Sequence, residues 1–228
     1  MPETIAIHSS SSRQTTEGRI GQVRGTPGRG KRLMDIVLSA LALLFLSPAL
    51  LVIVGVLFLA DGRPFIFSHK RIGRNGRPFS CLKFRTMRRD ADARLAELLA
   101  NDPECRKEWE EKHKLLNDPR IHRVGKFLRV SSLDELPQFL NVLRGEMSLV
   151  GPRPVVASEL ERYGRDADYY LALTPGITGL WQISGRNDTS YRERVKYDVE
   201  YYETQSVWKD IVILWKTVGV VLFARNGC

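Results

Sequence analysis

Cysteine is scarce in this chain: there are three, Cys81, Cys105 and Cys228. The odd count argues against a disulfide framework, and no pair stands at metal-ligand spacing. The thiols read as reduced groups of a cytoplasmic body. No internal repeat is visible. Acidic residues are in deficit, 26 against 35 Lys and Arg, for a net charge of +9. That excess suits nucleic acid, an anionic membrane surface or phosphorylated substrates, without choosing among them. Apolar residues are few in the first 30 positions, which are rich in Ser, Thr, Gly and Arg. Residues 1–30 read as a disordered basic tail. They do not read as a signal peptide, because no apolar stretch follows directly on a charged start.

The most informative absence is that of charge between Asp35 and Asp61. The run Ile36 to Ala60 holds 25 residues. As a helix it is about 37 Å long, enough for a hydrocarbon core of about 30 Å. The buried helix of a soluble body is the plainer alternative, but such helices are usually shorter and less uniformly apolar. Pro48 removes a backbone hydrogen bond at the centre, and Ser47 can re-satisfy the freed carbonyl. Positive charge flanks both ends, with Arg29, Lys31 and Arg32 before and Arg63, Lys70 and Arg71 after. Lys and Arg favour the cytoplasmic side. The expectation is a segment that enters the bilayer, bends at Ser47-Pro48 and leaves by the same face, in preference to one that spans.

The remainder is soluble in composition. Phe65 to Phe84 reads as short strands and turns, and Ala91 to Leu116 as one or two charged helices interrupted near Asp102-Pro103. Ser131 to Leu143 reads as a short helix with Ser131 or Ser132 as N-cap and Glu135 near the capping-box position. Gly151 to Pro154 cannot be helical, and Thr174 to Arg186 reads as a Gly-rich loop. Val207 to Phe223 places Trp208, Ile211, Leu214, Trp215, Val218 and Leu222 at helical spacing. It reads as an interfacial helix in the headgroup layer, with packing on a soluble core as the alternative.

Chemistry concentrates around Asp134-Glu135. Alone, two carboxylates at a helix start are a common N-cap pattern. Here Arg129 precedes them, Arg144 and Arg153 follow, and Lys83 and Arg85 stand in Lys83-Phe84-Arg85-Thr86-Met87. A carboxylate pair in such a field suits a Mg2+-assisted phosphate site, with carboxylates on the metal and guanidinium groups on phosphate oxygens. In Gly151-Pro152-Arg153-Pro154 two prolines fix the backbone around one arginine, which lowers the ordering cost of binding an anion. The plainer reading there is a rigid turn with a solvated arginine.

The segment Ser132-Leu133-Asp134-Glu135-Leu136-Pro137-Gln138, then Asn141, Gly145-Glu146-Met147-Ser148 and Gly151-Pro152-Arg153-Pro154, resembles the bacterial sugar transferase family, the monotopic polyprenyl-phosphate phosphoglycosyl transferases. Lys83-Phe84-Arg85-Thr86-Met87, Pro175-Gly176-Ile177-Thr178-Gly179 and Ser184-Gly185-Arg186-Asn187 match as well, in the family's order, over about Lys31 to Phe223.

The resemblance implies an α+β, mostly helical fold. It comprises a re-entrant membrane helix-hairpin (31–62) and a small soluble catalytic domain (63–228) with interfacial amphipathic helices. It implies Asp134 as nucleophile and Glu135 as its partner, positioning Mg2+ or relaying a proton. Arg129, Arg153, Lys83 and Arg85 would bind substrate phosphates, and Arg186 and Asn187 would belong to a nucleotide-sugar loop. Ser47-Pro48 matches the break of the family's membrane helix. A hexose 1-phosphate would pass from a UDP-sugar to undecaprenyl phosphate through a phosphosugar on Asp134, releasing UMP. This would be the first membrane step of exopolysaccharide synthesis, at the cytoplasmic face of the bacterial inner membrane. Galactose 1-phosphate is favoured by the compact architecture, by Gly179-Leu180-Trp181-Gln182-Ile183-Ser184-Gly185-Arg186-Asn187 and by the tail ending in Cys228; glucose 1-phosphate is the alternative. Membrane lipids, a homo-oligomer and downstream glycosyltransferases complete the partners that the resemblance implies. A non-catalytic export scaffold predicts a damaged carboxylate pair, yet Asp134, Glu135, Arg129 and Arg153 are intact. A nucleic-acid binder predicts a basic soluble face, whereas the basic residues here flank an apolar segment and two carboxylates.

Overall fold

The computed structural model describes residues 28–112, 115, 118–184 and 189–223. The expected tail up to residue 27, and Arg186 and Asn187, lie outside the described residues. Helices dominate, with four short strands in two sheets among the described residues.

The apolar run lies within helix α1, Arg29–Asp61. The expected interruption is that of one hydrogen bond, because the helix continues through Pro48. Proline has no N–H for the carbonyl four residues back. That carbonyl belongs to Leu44, and Ser47 Oγ donates to it at 2.8 Å. At 33 residues the helix is about 50 Å long if straight, long and apolar enough to cross a membrane. One face turns inward through Lys31, Asp35, Ser39 and Leu57, while Leu44, Phe45, Leu51 and Leu59 stand exposed.

Both halves of α1 rest on one body. Strands β1 (Ile66–Ile72) and β2 (Pro78–Phe84) form an antiparallel hairpin in the register Ile66↔Phe84 to Ile72↔Pro78. Helices α2 (Ala91–Asn101) and α3 (Pro103–Lys112) divide where expected, with Asp102 Oδ1 accepting from the Glu104 and Cys105 amides. Helix α4 spans Arg123–Val130 and α5 spans Gln138–Arg144. The single helix expected over Ser131 to Leu143 is therefore two shorter pieces. Ser131 closes α4, a 3₁₀ turn covers Leu133–Glu135, and Pro137 starts α5. Proline suits the start of a helix but not its interior.

Strands β3 (Ser148–Val150) and β4 (Gly176–Thr178) pair in parallel. The Gly-rich stretch expected as a loop thus contains β4 and helix α8 (Leu180–Ser184), after α6 (Ala157–Glu161) and α7 (Ala167–Ala172). Its glycines serve close approach: a Cβ on Gly176 would lie 2.1 Å from the Gly151 amide nitrogen. Helices α9 (Tyr191–Thr204) and α10 (Val207–Phe223) complete the body. Helix α10 packs on the core by one side only. Asp210 and Ile213 are buried in the core, whereas Trp208, Trp215 and Val218 are exposed on the other side.

The first turns of α1 are stitched to this body by polar side chains. Lys31 Nζ donates to Val150 O at 2.9 Å and to Asp210 Oδ2 at 2.6 Å. Arg32 donates to the carbonyls of Val142 and Leu143. Asp35 accepts from Ser148 Oγ and the Leu149 amide at 2.8 and 3.0 Å. Towards its other end, Leu50, Ile53, Val54 and Leu57 pack around Phe84 and Leu128.

Candidate active site

Asn141, fully buried on α5, accepts from the Leu82 amide at 3.0 Å and donates to Ser80 O at 2.8 Å and Glu146 Oε2 at 2.6 Å. Helix α5 is thereby fastened to β2, and the turn preceding α5 comes to lie against Lys83. Helix α4 reaches the same place by close approach. A Cβ on Gly125 would stand 2.1 Å from Thr86 O, so only glycine admits this contact. Four residues on, Arg129 Nε donates to Thr86 Oγ1 at 2.8 Å.

Between α4 and α5 the chain turns sharply. Ser132 adopts φ 57°, ψ 15°, a left-handed conformation that costs a non-glycine residue free energy. The next turn of 3₁₀ helix presents Asp134 and Glu135. Both carboxylates thus lie just before α5, not within its first turn. Asp134 is only 8% exposed. Lys83 Nζ donates to Glu135 Oε1 at 2.5 Å. Burial pushes the Asp134 carboxyl above the usual carboxylate range; Lys83 draws it back, Glu135 adds to the rise and Arg129 opposes it. The site is therefore a buried carboxyl that feels the charge of two cations, beside a second carboxylate already paired with Lys83.

Arg153 is exposed on its loop between the buried prolines 152 and 154. The loop is pinned from below, because the Gly151 amide donates to Thr178 O and the Gly176 amide to Pro152 O. Arg153 and the Lys83–Glu135 pair all act electrostatically on Cys81, in the middle of β2, and Val155, just after the loop, bridges to Ile72 of β1. Arg85 is placed differently. Its Nη2 donates to Asp61 Oδ2 at 2.8 Å and to the Asp61 and Gly62 carbonyls, closing the end of α1 rather than meeting the two carboxylates.

Several residues that build the site carried no sequence signal of their own. Thr86 and Asn141 stood in quoted motifs without an assigned role. Gly125 is an isolated glycine inside a helical pattern, a mark that points to close packing when read that way. Asp118, paired with Arg120 at 2.6 Å, lies below the usual carboxylate range: burial pushes it up, but the Arg120 hydrogen bonds and charge, with a smaller pull from Arg129, outweigh that.

No group of three His, Cys, Asp or Glu side chains that could hold a metal occurs among the described residues. Mg2+ does not require one. It keeps several waters and binds through one or two carboxylates together with substrate phosphates, a donor set that Asp134 and Glu135 fit.

The family model described as bacterial sugar transferase matches residues 27–224. The chain belongs to that family. The sugar transferase is 54% identical over 197 residues to the UDP-galactose-lipid carrier transferase of Erwinia amylovora. It is 55% identical over 197 residues to the undecaprenyl-phosphate galactose phosphotransferase of Salmonella typhimurium. Each match covers 86% of this chain but 41% of the relative, so the chain spans about two fifths of the length of these proteins. The exopolysaccharide production protein ExoY of Rhizobium meliloti is 48% identical over 222 residues, covering 97% of this chain and 98% of the relative.

Proposed function

We propose that this sugar transferase moves a hexose 1-phosphate from a UDP-sugar to undecaprenyl phosphate, with Asp134 as the nucleophile. The observation that carries the reading is the buried Asp134 carboxyl in the field of Lys83 and Arg129, next in sequence to the Glu135 that Lys83 pairs. An Asp134 oxygen attacks the β-phosphorus of the donor, the bond from that phosphorus to the α-phosphate's bridging oxygen breaks, and UMP leaves. The phosphosugar is then an acyl phosphate on Asp134. An oxygen of the prenyl phosphate attacks the same phosphorus and frees the Asp134 carboxylate, giving a prenyl diphosphate sugar. A carboxylate thereby divides one difficult transfer into two easier ones. Lys83, Arg129 and Arg153 neutralise charge as anion meets anion. Mg2+, held by Asp134 and Glu135, supplies further charge neutralisation on the donor diphosphate when bound.

The names of the Erwinia and Salmonella relatives support galactose as the sugar, with glucose as the alternative, and ExoY supports exopolysaccharide synthesis. Purified protein with Mg2+, undecaprenyl phosphate and UDP-galactose should release UMP, and a panel of UDP-sugars ranks the donors. Asp134→Asn with undiminished UMP release would sink the nucleophile assignment.

The same reading makes 31–62 a re-entrant membrane segment and 63–228 a catalytic domain at the cytoplasmic face of the inner membrane. What supports it is that both halves of α1 rest on one body while its opposite face is exposed and apolar. A straight span would carry one end to the far side, away from that body. Cysteine labelling at the two ends of α1 reports the topology directly.

A further inference from the structure

The loop that carries Arg153 is held at both ends, and a side chain holds the second. At the first end the Gly151 amide donates to Thr178 O at 2.9 Å, and Pro152 O accepts from the Gly176 amide at 2.8 Å. At the second end Val155 stands opposite Ile72 of β1 in an isolated antiparallel bridge. Two residues that face each other in this way can exchange two backbone hydrogen bonds. Only one is direct here, from the Ile72 amide to Val155 O at 2.9 Å. The other passes through Tyr170. The Val155 amide donates to the Tyr170 hydroxyl at 3.2 Å, and that hydroxyl donates to Ile72 O at 2.7 Å. One phenol oxygen thus completes the bridge between the loop and the hairpin.

Tyr170 is itself firmly placed. It lies fully buried on α7, edge-on to Tyr163 with 5.3 Å between ring centroids, in one apolar cluster with Val155 and Val195. Its hydroxyl is needed in both senses, as acceptor and as donor. Phenylalanine would keep the ring but leave the Val155 amide and the Ile72 carbonyl without that partner, and an unmet buried polar group is costly. Between the two clamps, Arg153 is the one exposed residue of 151–155. Its guanidinium makes no hydrogen bond or ion pair among the described residues. A free cation on a loop fixed in advance pays less ordering cost when an anion arrives.

We propose that Tyr170 is a positioning residue of the transfer reaction: its hydroxyl fixes the far end of the loop and thereby sets Arg153 for the donor's phosphates. The inference rests on the reaction proposed above, in which Arg153 meets those phosphates, and adds the group that holds it ready.

The rival account is that Tyr170 only holds the core together, and a double-mutant cycle separates the two. UMP release is measured with the full chain in detergent micelles, with undecaprenyl phosphate and the UDP-sugar that ranks first in the donor panel. The proteins are Tyr170→Phe, Arg153→Ala and the double variant, each beside a thermal melt. Tyr170→Phe should lower kcat/KM about tenfold when Arg153 is present and less than about twofold when residue 153 is already alanine. Its fall in Tm should be the same in both backgrounds. Tyr163→Phe removes a buried hydroxyl of the same cluster, the one bonded to Asp198, without touching Val155. It should lower Tm and leave kcat/KM within about twofold. A folded Tyr170→Phe protein with unchanged kcat/KM overturns the proposal, as does a loss of equal size with and without Arg153. If Tyr170→Phe does not fold, Pro154→Ala frees the same end of the loop, and a loss independent of Arg153 overturns the proposal there too. An Arg153→Ala protein of normal activity also overturns it, while leaving the transfer reaction standing. If the unmodified protein releases no UMP, the reaction itself is wrong and the inference falls with it.

Discussion

Gly125→Ala tests how tightly the site depends on one backbone contact. The added methyl carbon would stand 2.1 Å from Thr86 O and 2.8 Å from the Thr86 carbonyl carbon and Cα. An ordinary contact begins near 3.4 Å, so α4 and residue 86 must part by roughly 1 Å. Thr86 has little freedom, being held between the end of β2 and the Met87↔Ile121 bridge. Helix α4 therefore moves, carrying Arg129 and breaking its 2.8 Å bond to Thr86. Overpacking costs about 1–3 kcal/mol, but alanine in place of a helical glycine returns about 1 kcal/mol. Net stability should fall by at most about 2 kcal/mol. Activity is more exposed, since a misplacement of about 1 Å near the reacting atoms can cost about 100-fold. Initial rates of UMP release, measured beside a thermal melt in the same micelles, separate the two effects. The expected result is a kcat about 100-fold down with a Tm only a few degrees lower, and Gly125→Ser should be worse. A folded Gly125→Ala protein with kcat within threefold of normal would refute the argument that this contact aims Arg129.

Asp198 offers a stability test that is independent of the reaction. It is 3% exposed, accepts from Tyr163 at 2.8 Å, and burial pushes its pKa from 3.8 to about 7 while that hydrogen bond opposes the rise. Between about pH 4 and 7 the folded protein keeps a proton that the unfolded chain has lost, so stability falls as pH rises through that window. The loss is on the order of 4 kcal/mol at most; Asp198→Asn should flatten the Tm profile across it, and an unchanged slope would contradict this account. For topology, cysteines introduced at Gly30 and Arg63 should both react with an impermeant reagent from the cytoplasmic side, and reaction from opposite sides would refute the re-entrant reading.

Much of the architecture was legible because it rests on local signals. The uncharged run gave α1, Asp102-Pro103 gave the division of α2 from α3, and Ser47 was recognisable as a donor for the carbonyl that Pro48 frees. The candidate site was legible as residue types, in Asp134, Glu135, Lys83 and Arg129, and the fold brings Lys83 to Glu135 and Arg129 to Thr86. What failed to show depended on contacts between distant segments. Glycines 151, 176 and 179 have the composition of a loop, yet they allow two backbones to pack as β3 and β4. Ser132 has the type of an N-cap, but Pro137 forces the helix to begin later, and Ser132 takes a left-handed turn instead. Arg85 belongs to the same short motif as Lys83, and only the position of Asp61 separates their partners.

The polar turn at the start of α1 also bears on the order in which the chain is made. Asp35 waits for Ser148 and Leu149, more than a hundred residues later, and Lys31 waits for Asp210, 179 residues later. A nascent chain can therefore sink its apolar helix into the bilayer long before the partners of that helix's polar end exist. Until α10 emerges, Lys31 lacks the carboxylate that lets it be buried, and a lone buried ammonium is costly. The ion pair that joins the first described helix to the last cannot close until Asp210 has been made, 179 residues after its partner.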